Sequence, residues 1–114
     1  MPHLFHIATV GDWEAAQRSG TYTTSTWGRT LAEEGFIHAS HGDQWEGVRE
    51  LFYADVREPL VLLEIDPDRL QAPVVEEVPE GADRPFPHIY GPIDPAAVVT
   101  ATPLDPPPRR RSPS

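Results

Sequence analysis

The run "PLVLLEI", Pro59 to Ile65, constrains this chain more than any other stretch. A strand points successive side chains to opposite faces. The unbroken apolar run from Leu60 to Leu63 therefore puts hydrophobic groups on both faces, and such a strand needs cover on each. The segment "DPDRL" that follows reads as a turn.

The remaining segments supply candidate partners. "LFHIA", "FIHAS", "APVVEEVP", "PHIYGPI" and "VVTATPL" read as further strands. Two longer helical patterns lie in the first half. In "GDWEAAQRSG", Asp12 is the expected N-cap and Gly20 the stop. In "HGDQWEGVRELFY", Trp45, Val48, Leu51 and Phe52 fall on one side, and Ser40 with Asp43 has capping-box spacing. Thr30 and Glu33 repeat that spacing in "TLAEEG", a single helical turn ended by Gly35. "TYTTSTWGRT" reads as a polar loop without a period. The expected architecture is α+β: one domain over residues 1–103, with a mixed curved sheet and two main helices to one side. Residues 104–114, rich in proline and arginine, read as a disordered tail.

Composition removes several chemistries. The chain has no cysteine and no lysine, which excludes thiolate nucleophiles, disulfides, Schiff bases and a P-loop lysine. Residues 1–103 hold six arginines against seventeen acids, a net of −11. Such a body repels phosphate backbones, so no nucleic-acid partner is expected. No apolar run approaches eighteen residues and no signal peptide is evident. A cytoplasmic, acidic, bacterial-style domain without a membrane partner is the expectation.

The residues able to do chemistry are mostly histidines. His6 shares a strand face with Leu4 and Ala8, which reads by itself as a core histidine. His38 and Ser40 sit where a short strand meets a helix start. His88 and Tyr90 lie two apart in "RPFPHIYGPI" and so point the same way; the surrounding prolines favour an edge or a cleft wall over a central strand. Glu76 and Glu77 are adjacent in a strand, so only one can face a site. The pairs His3/His6 and His38/His41 fall on opposite faces of a strand, and no metal site is expected. There is no G-x-S-x-G elbow and no Gly-rich dinucleotide loop.

The stretches "HIAT…W", "EGFIHAS" and "FPHIYGPI", with "LVLLEID" between the last two, closely resemble a bacterial family known only as domain of unknown function nine hundred fifty-two. The resemblance runs from Leu4 to Val99. Members are sometimes labelled glutathione S-transferase, yet this chain has no thioredoxin-like half. The family is similar in fold to ADP-ribosyltransferases, including the RNA 2′-phosphotransferase branch. That resemblance matches His6 and Thr9 to the first motif and His38 and Ser40 to the second. His88 or Tyr90 falls near the third, with Glu76 one strand earlier. Ile7 stands where the superfamily has a glycine.

The resemblance thus implies a histidine-lined cleft that binds or uses NAD or a related nucleotide. His6, His38 and His88 would be its catalytic residues, and Thr9, Ser40, Tyr90 and Glu76 would contact the ligand. The alternative is a non-catalytic module for an anionic metabolite or nucleotide; a metal-assisted hydrolase ranks below both.

Overall fold

In the computed structural model, which describes residues 2–26 and 28–104, the strand formers pair only with antiparallel neighbours. In chain order the elements are β1 (Leu4–Thr9), α1 (Val10–Ser19), β2 (Thr24–Thr26), β3 (Arg29–Thr30), α2 (Leu31–Glu34), β4 (Ile37–His38) and α3 (Trp45–Phe52). They continue with β5 (Leu60–Ile65), β6 (Val74–Glu77), β7 (Phe86–Ile89) and β8 (Val98–Leu104). Short 3-10 turns at Pro67–Arg69 and Pro95–Ala97 follow β5 and precede β8. The fold is α+β, as the element pattern implies. Its sheets are antiparallel rather than mixed, because each strand meets its neighbour from the opposite direction.

β5 occupies the centre of the sheet β1-β5-β8 and is covered on both faces. Val61, Leu63 and Ile65 pack into one core with Leu4, Ala8, Ala16 and Tyr22. Leu60 enters a second core with Ile7, Val48, Tyr53 and Val56, against which Leu62 also packs. α1 closes the first face and α3 the second. A second sheet, β4-β7-β6, meets β1 through one bridge: Phe5 N–H to Ser40 O at 2.8 Å and Ser40 N–H to Phe5 O at 2.7 Å. The bridge joins the two sheets into a single bent path.

Several local expectations are corrected. Thr9, not Asp12, caps α1: its hydroxyl accepts from Asp12 N–H at 3.1 Å, which leaves Asp12 in the first turn beside the positive helix end. The Ser40/Asp43 capping box does not form. Both Ser40 backbone groups are committed to Phe5, so Ser40 is held as strand and α3 begins behind Gln44. Thr30 and Glu33 do form their box, and Gly35 ends α2 at φ +86°. The polar stretch read as a loop contains a ribbon, β2-β3, whose turn uses Gly28 at φ +79°. Leu51 and Phe52 are 74 % and 56 % exposed, at the solvent edge of α3 rather than in the core.

The edge placement of "FPHIYGPI" is also corrected, since β7 is the middle strand of its sheet. Pro87 is tolerated there because β4 is only two residues long. Opposite Pro87 stands Ala39, beyond the end of β4, whose N–H still reaches the proline carbonyl at 3.0 Å. β8 runs through Leu104, which pairs with Leu60, so the segment expected as a tail begins with strand; its residues 105–114 lie outside the described residues. No helix among the described residues is long and apolar enough to cross a membrane.

Candidate functional site

Register decides which side chains meet on the second sheet. His38 pairs with His88 and Val75 pairs with His88 across the two ladders. Directly opposite residues share a face, and the period of two extends that face. Phe36, His38, Phe86, His88, Tyr90 and Glu77 therefore lie on one side, while Ile37, Ile89 and Pro87 turn into the core.

The centre of this face is a Glu77–His88–Tyr90 group. Glu77 Oε1 is 2.8 Å from His88 Nδ1 and also accepts from the Tyr90 hydroxyl. These two bonds hold the Glu77 carboxyl below the usual carboxylate range. A carboxylate has no proton to give, so His88 Nδ1 is the donor. The ring of His88 is 3 % exposed and stacks on Phe36 at a centroid distance of 3.9 Å. Its second nitrogen, Nε2, is buried without a hydrogen-bond partner. His38 Nε2 is in the same condition, and the two rings are 5.5 Å apart. Burial lowers the His38 pKa to about 4, helped by the neighbouring His6 and His88, so its ring is neutral near pH 7.

A cavity of about 810 Å³ opens over this face. His38, His88, Phe36 and Phe86 line one wall, and α3 forms another through Gln44, Gly47, Val48, Leu51 and Phe52. The segment from Pro79 to Arg84, between β6 and β7, closes a third side. Two ties hold that segment and the adjoining Pro85 to the residues that lead into α3: Arg84 Nη2 to Asp43 Oδ2 at 2.9 Å, and Gln44 Nε2 to the Pro85 carbonyl at 3.0 Å. Gln44 Oε1 accepts from His41 N–H at 2.9 Å, so its amide is fixed at both ends.

The other expected site residues fall elsewhere. His6 lies behind the sheet, among Leu4, Ala8 and Leu63. Its Nδ1 donates to the His38 carbonyl at 2.6 Å, and its Nε2 accepts from the Tyr22 hydroxyl at 2.8 Å. Burial lowers its pKa to about 4, which fixes it as a neutral strut between β1, β4 and Tyr22. Thr9 spends its hydroxyl on the α1 cap, and Ser40 serves the inter-sheet bridge through its backbone. Glu76 turns to the opposite side from His88 and bonds His41 Nε2 at 2.7 Å. The carboxylate beside His88 is Glu77, and strand parity is the reason. Glu77, Phe36 and Phe86 were not legible as site residues, because only the β4-β7-β6 register brings them together, nor was Gln44, which its bond to the Pro85 carbonyl places there. Among the described residues, no group of three or more histidine, aspartate or glutamate side chains is placed to hold a metal ion.

Residues 7–101 match the family model described as "Protein of unknown function (DUF952)". The crystal structure of protein CC0527 from Caulobacter crescentus superposes with a TM-score of 0.77 at 27 % identity, covering 90 % of this chain and 86 % of that one. The solution NMR structure of CC0527 superposes with a TM-score of 0.69 at 29 % identity, covering 92 % and 86 %. Among curated proteins, none matches the chain.

Proposed function

The chain belongs to the family described as Protein of unknown function (DUF952), and from that premise we propose that it binds a small, flat, neutral or cationic molecule in the cleft beneath α3, where a donor group of the ligand meets His88 Nε2. The observation that carries this reading is the pair of buried, unpartnered ring nitrogens on His38 and His88 in the cavity wall. An unmatched buried polar atom costs about 1–3 kcal/mol. A ligand or water that supplies a donor recovers that loss. The cavity volume, about 810 Å³, falls in the range of small-molecule sites.

Shape and charge narrow the ligand. Phe36, Phe86, Val48, Leu51 and Phe52 offer an apolar surface for a flat ring. Phe36 borders both the cavity and the His88 ring and is itself partly exposed, so its rotation is the natural route to Nε2. Arg29 and Arg84 also line the cavity, but Glu34 at 3.9 Å and Asp43 at 2.9 Å answer them. Glu80 and Asp83 have no ion-pair partner among the described residues, which leaves the lining net negative. A diphosphate such as that of NAD meets repulsion in such a wall. The NAD reading, which the resemblance to ADP-ribosyltransferases implies, therefore ranks below a neutral or cationic aromatic ligand.

The experiment is a thermal-shift panel of NAD, ADP-ribose, adenosine, nicotinamide and nicotinamide riboside on wild type and His88→Gln. A ligand at a hundred times its Kd stabilises the native state by about 2.7 kcal/mol. For a domain near this size that raises Tm by roughly ten degrees or more. A neutral or cationic member is expected to shift wild type and to lose most of the shift in H88Q. Stabilisation by NAD and ADP-ribose alone would overturn the charge argument. Equal shifts in H88Q would overturn the role of Nε2.

A further inference from the structure

The Glu77–His88 contact fixes the protonation pattern of a ring that has an unused lone pair. Nδ1 carries the proton because its partner at 2.8 Å is a carboxylate. With the proton on Nδ1, the ring's lone pair lies at Nε2, the atom without a protein partner. An imidazole held at Nδ1 by a carboxylate, with Nε2 unpartnered just behind the cleft wall and reached when Phe36 rotates, is the arrangement of a general base. Its surroundings suit proton transfer. Glu77 stays charged through its bonds from Tyr90 and His88, and so compensates a proton gained by the ring. His38, 5.5 Å away, is neutral near pH 7 and adds no opposing charge.

The chain restricts the nucleophile. It has no cysteine and no lysine, and among the described residues the one hydroxyl lining the cavity is that of Thr26 on the β2-β3 ribbon. Nothing among the described residues donates to His88 Nε2. The group left for this base to deprotonate is water. With one base and no covalent nucleophile beside it, the cleft suits a bond whose leaving group departs readily, an ester rather than an amide. The excess of carboxylates in the lining, four against two arginines, favours a neutral substrate and repels a carboxylate product.

We propose that the cleft hydrolyses small neutral esters of flat or apolar alcohols, with His88 as catalytic base and Glu77 as the residue that positions it. The proposal rests on the binding reading above. His88 Nε2 takes one proton from water, and the water oxygen forms a bond to the acyl carbon while the carbonyl π pair moves onto its oxygen. On collapse that pair returns and the ester C–O bond breaks, its electrons leaving with the alcohol oxygen. The alcohol oxygen takes the proton from Nε2. The products are the alcohol and a carboxylic acid, which ionises to solvent, and His88 is again neutral.

The test uses the full chain with p-nitrophenyl acetate and p-nitrophenyl butyrate as turnover probes and p-nitroacetanilide, the slow amide, as a binding probe. Saturable p-nitrophenolate release is expected, with a normal solvent deuterium isotope effect. His88→Gln should lose about a hundredfold or more in kcat, while His3→Asn, remote from the cleft, keeps the wild-type rate. Glu77→Gln should lower kcat at unchanged KM, with partial rescue in Glu77→Asp; a purely structural role would not give that split or that rescue. Circular dichroism confirms that each variant is folded. Equal hydrolysis in folded H88Q overturns the proposal. So does p-nitroacetanilide binding, lost in H88Q, without ester turnover above buffer, which leaves the binding reading intact. Failure of every panel compound and probe to bind overturns the binding reading beneath it.

Discussion

Replacing His6 with phenylalanine separates a structural histidine from a catalytic one. The substitution keeps a buried aromatic ring but removes both of its hydrogen bonds, 2.6 Å to the His38 carbonyl and 2.8 Å from the Tyr22 hydroxyl. Tyr22 is 1 % exposed, so its hydroxyl cannot turn to bulk water. The His38 carbonyl left unmatched costs about 1–3 kcal/mol, and the Tyr22 hydroxyl, which keeps a bond with Thr24, loses about 1 more, a total of about 3 kcal/mol. Set against a total of about 5–15 kcal/mol, that is a large fraction of the stability. At about 4–8 °C per kcal/mol, Tm should fall by about 12–24 °C. Urea unfolding followed by far-UV circular dichroism reads the change, with the slope m showing that unfolding remains two-state. Tyr22→Phe should be destabilising alone, and the double variant should cost less than the sum, because the two share one bond. An H6F protein within 0.5 kcal/mol of wild type would refute the strut. So would an H6F protein of unchanged stability that no longer binds ligand, since His6 would then be a contact residue.

Acid should weaken the fold in a defined window. His6 has a pKa of about 4 in the folded state against 6.5 for the free side chain, so between those values the unfolded chain binds more protons and stability falls as pH falls. The loss for His6 is roughly 3 kcal/mol across the window; urea titrations from pH 7 to pH 4 measure it, and a flat profile contradicts the buried neutral ring. His38, lowered to about 4 as well, adds to the same trend. Glu77→Gln should lower kcat for ester turnover at the His88 cleft while Glu76→Gln leaves it unchanged, because the two carboxylates lie on opposite sheet faces; p-nitrophenyl acetate kinetics of the two variants decide, and the reverse ranking would refute the register. Leu51→Ser and Phe52→Ser should change stability by no more than about 0.5 kcal/mol, since both side chains are largely exposed, yet weaken binding of an aromatic ligand. A large loss of Tm in either would show that α3 packs differently.

The legible parts of the fold were those with local causes. β5 could be read because four apolar residues in succession require cover on both faces, and two cores supply it. The Thr30/Glu33 box could be read because nothing competes with it. The same spacing at Ser40 and Asp43 misled, because a long-range partner, Phe5, takes the Ser40 backbone for the sheet. The site was half legible. His88 and Tyr90 stand on one face by strand alternation, but joining His38 to them needed its pairing with His88, and the choice of Glu77 over Glu76 needed the pairing of Val75 with His88. His6 shows the opposite limit. Its sequence neighbours mark it as a core residue, and the family resemblance marks it as catalytic; its buried bond with Tyr22, sixteen residues away, was legible from neither.

The claim on which the rest depends is that Glu77 holds His88 as the Nδ1–H tautomer with a bare Nε2. Two-bond ¹H–¹⁵N correlation of the imidazole at neutral pH observes this directly. The account expects a pyrrole-type Nδ1 and a pyridine-type Nε2 for His88 in the free protein, with that assignment weakened or averaged in Glu77→Gln. A proton on Nε2 with Nδ1 bare would contradict it, and with it both the acceptor role and the general base.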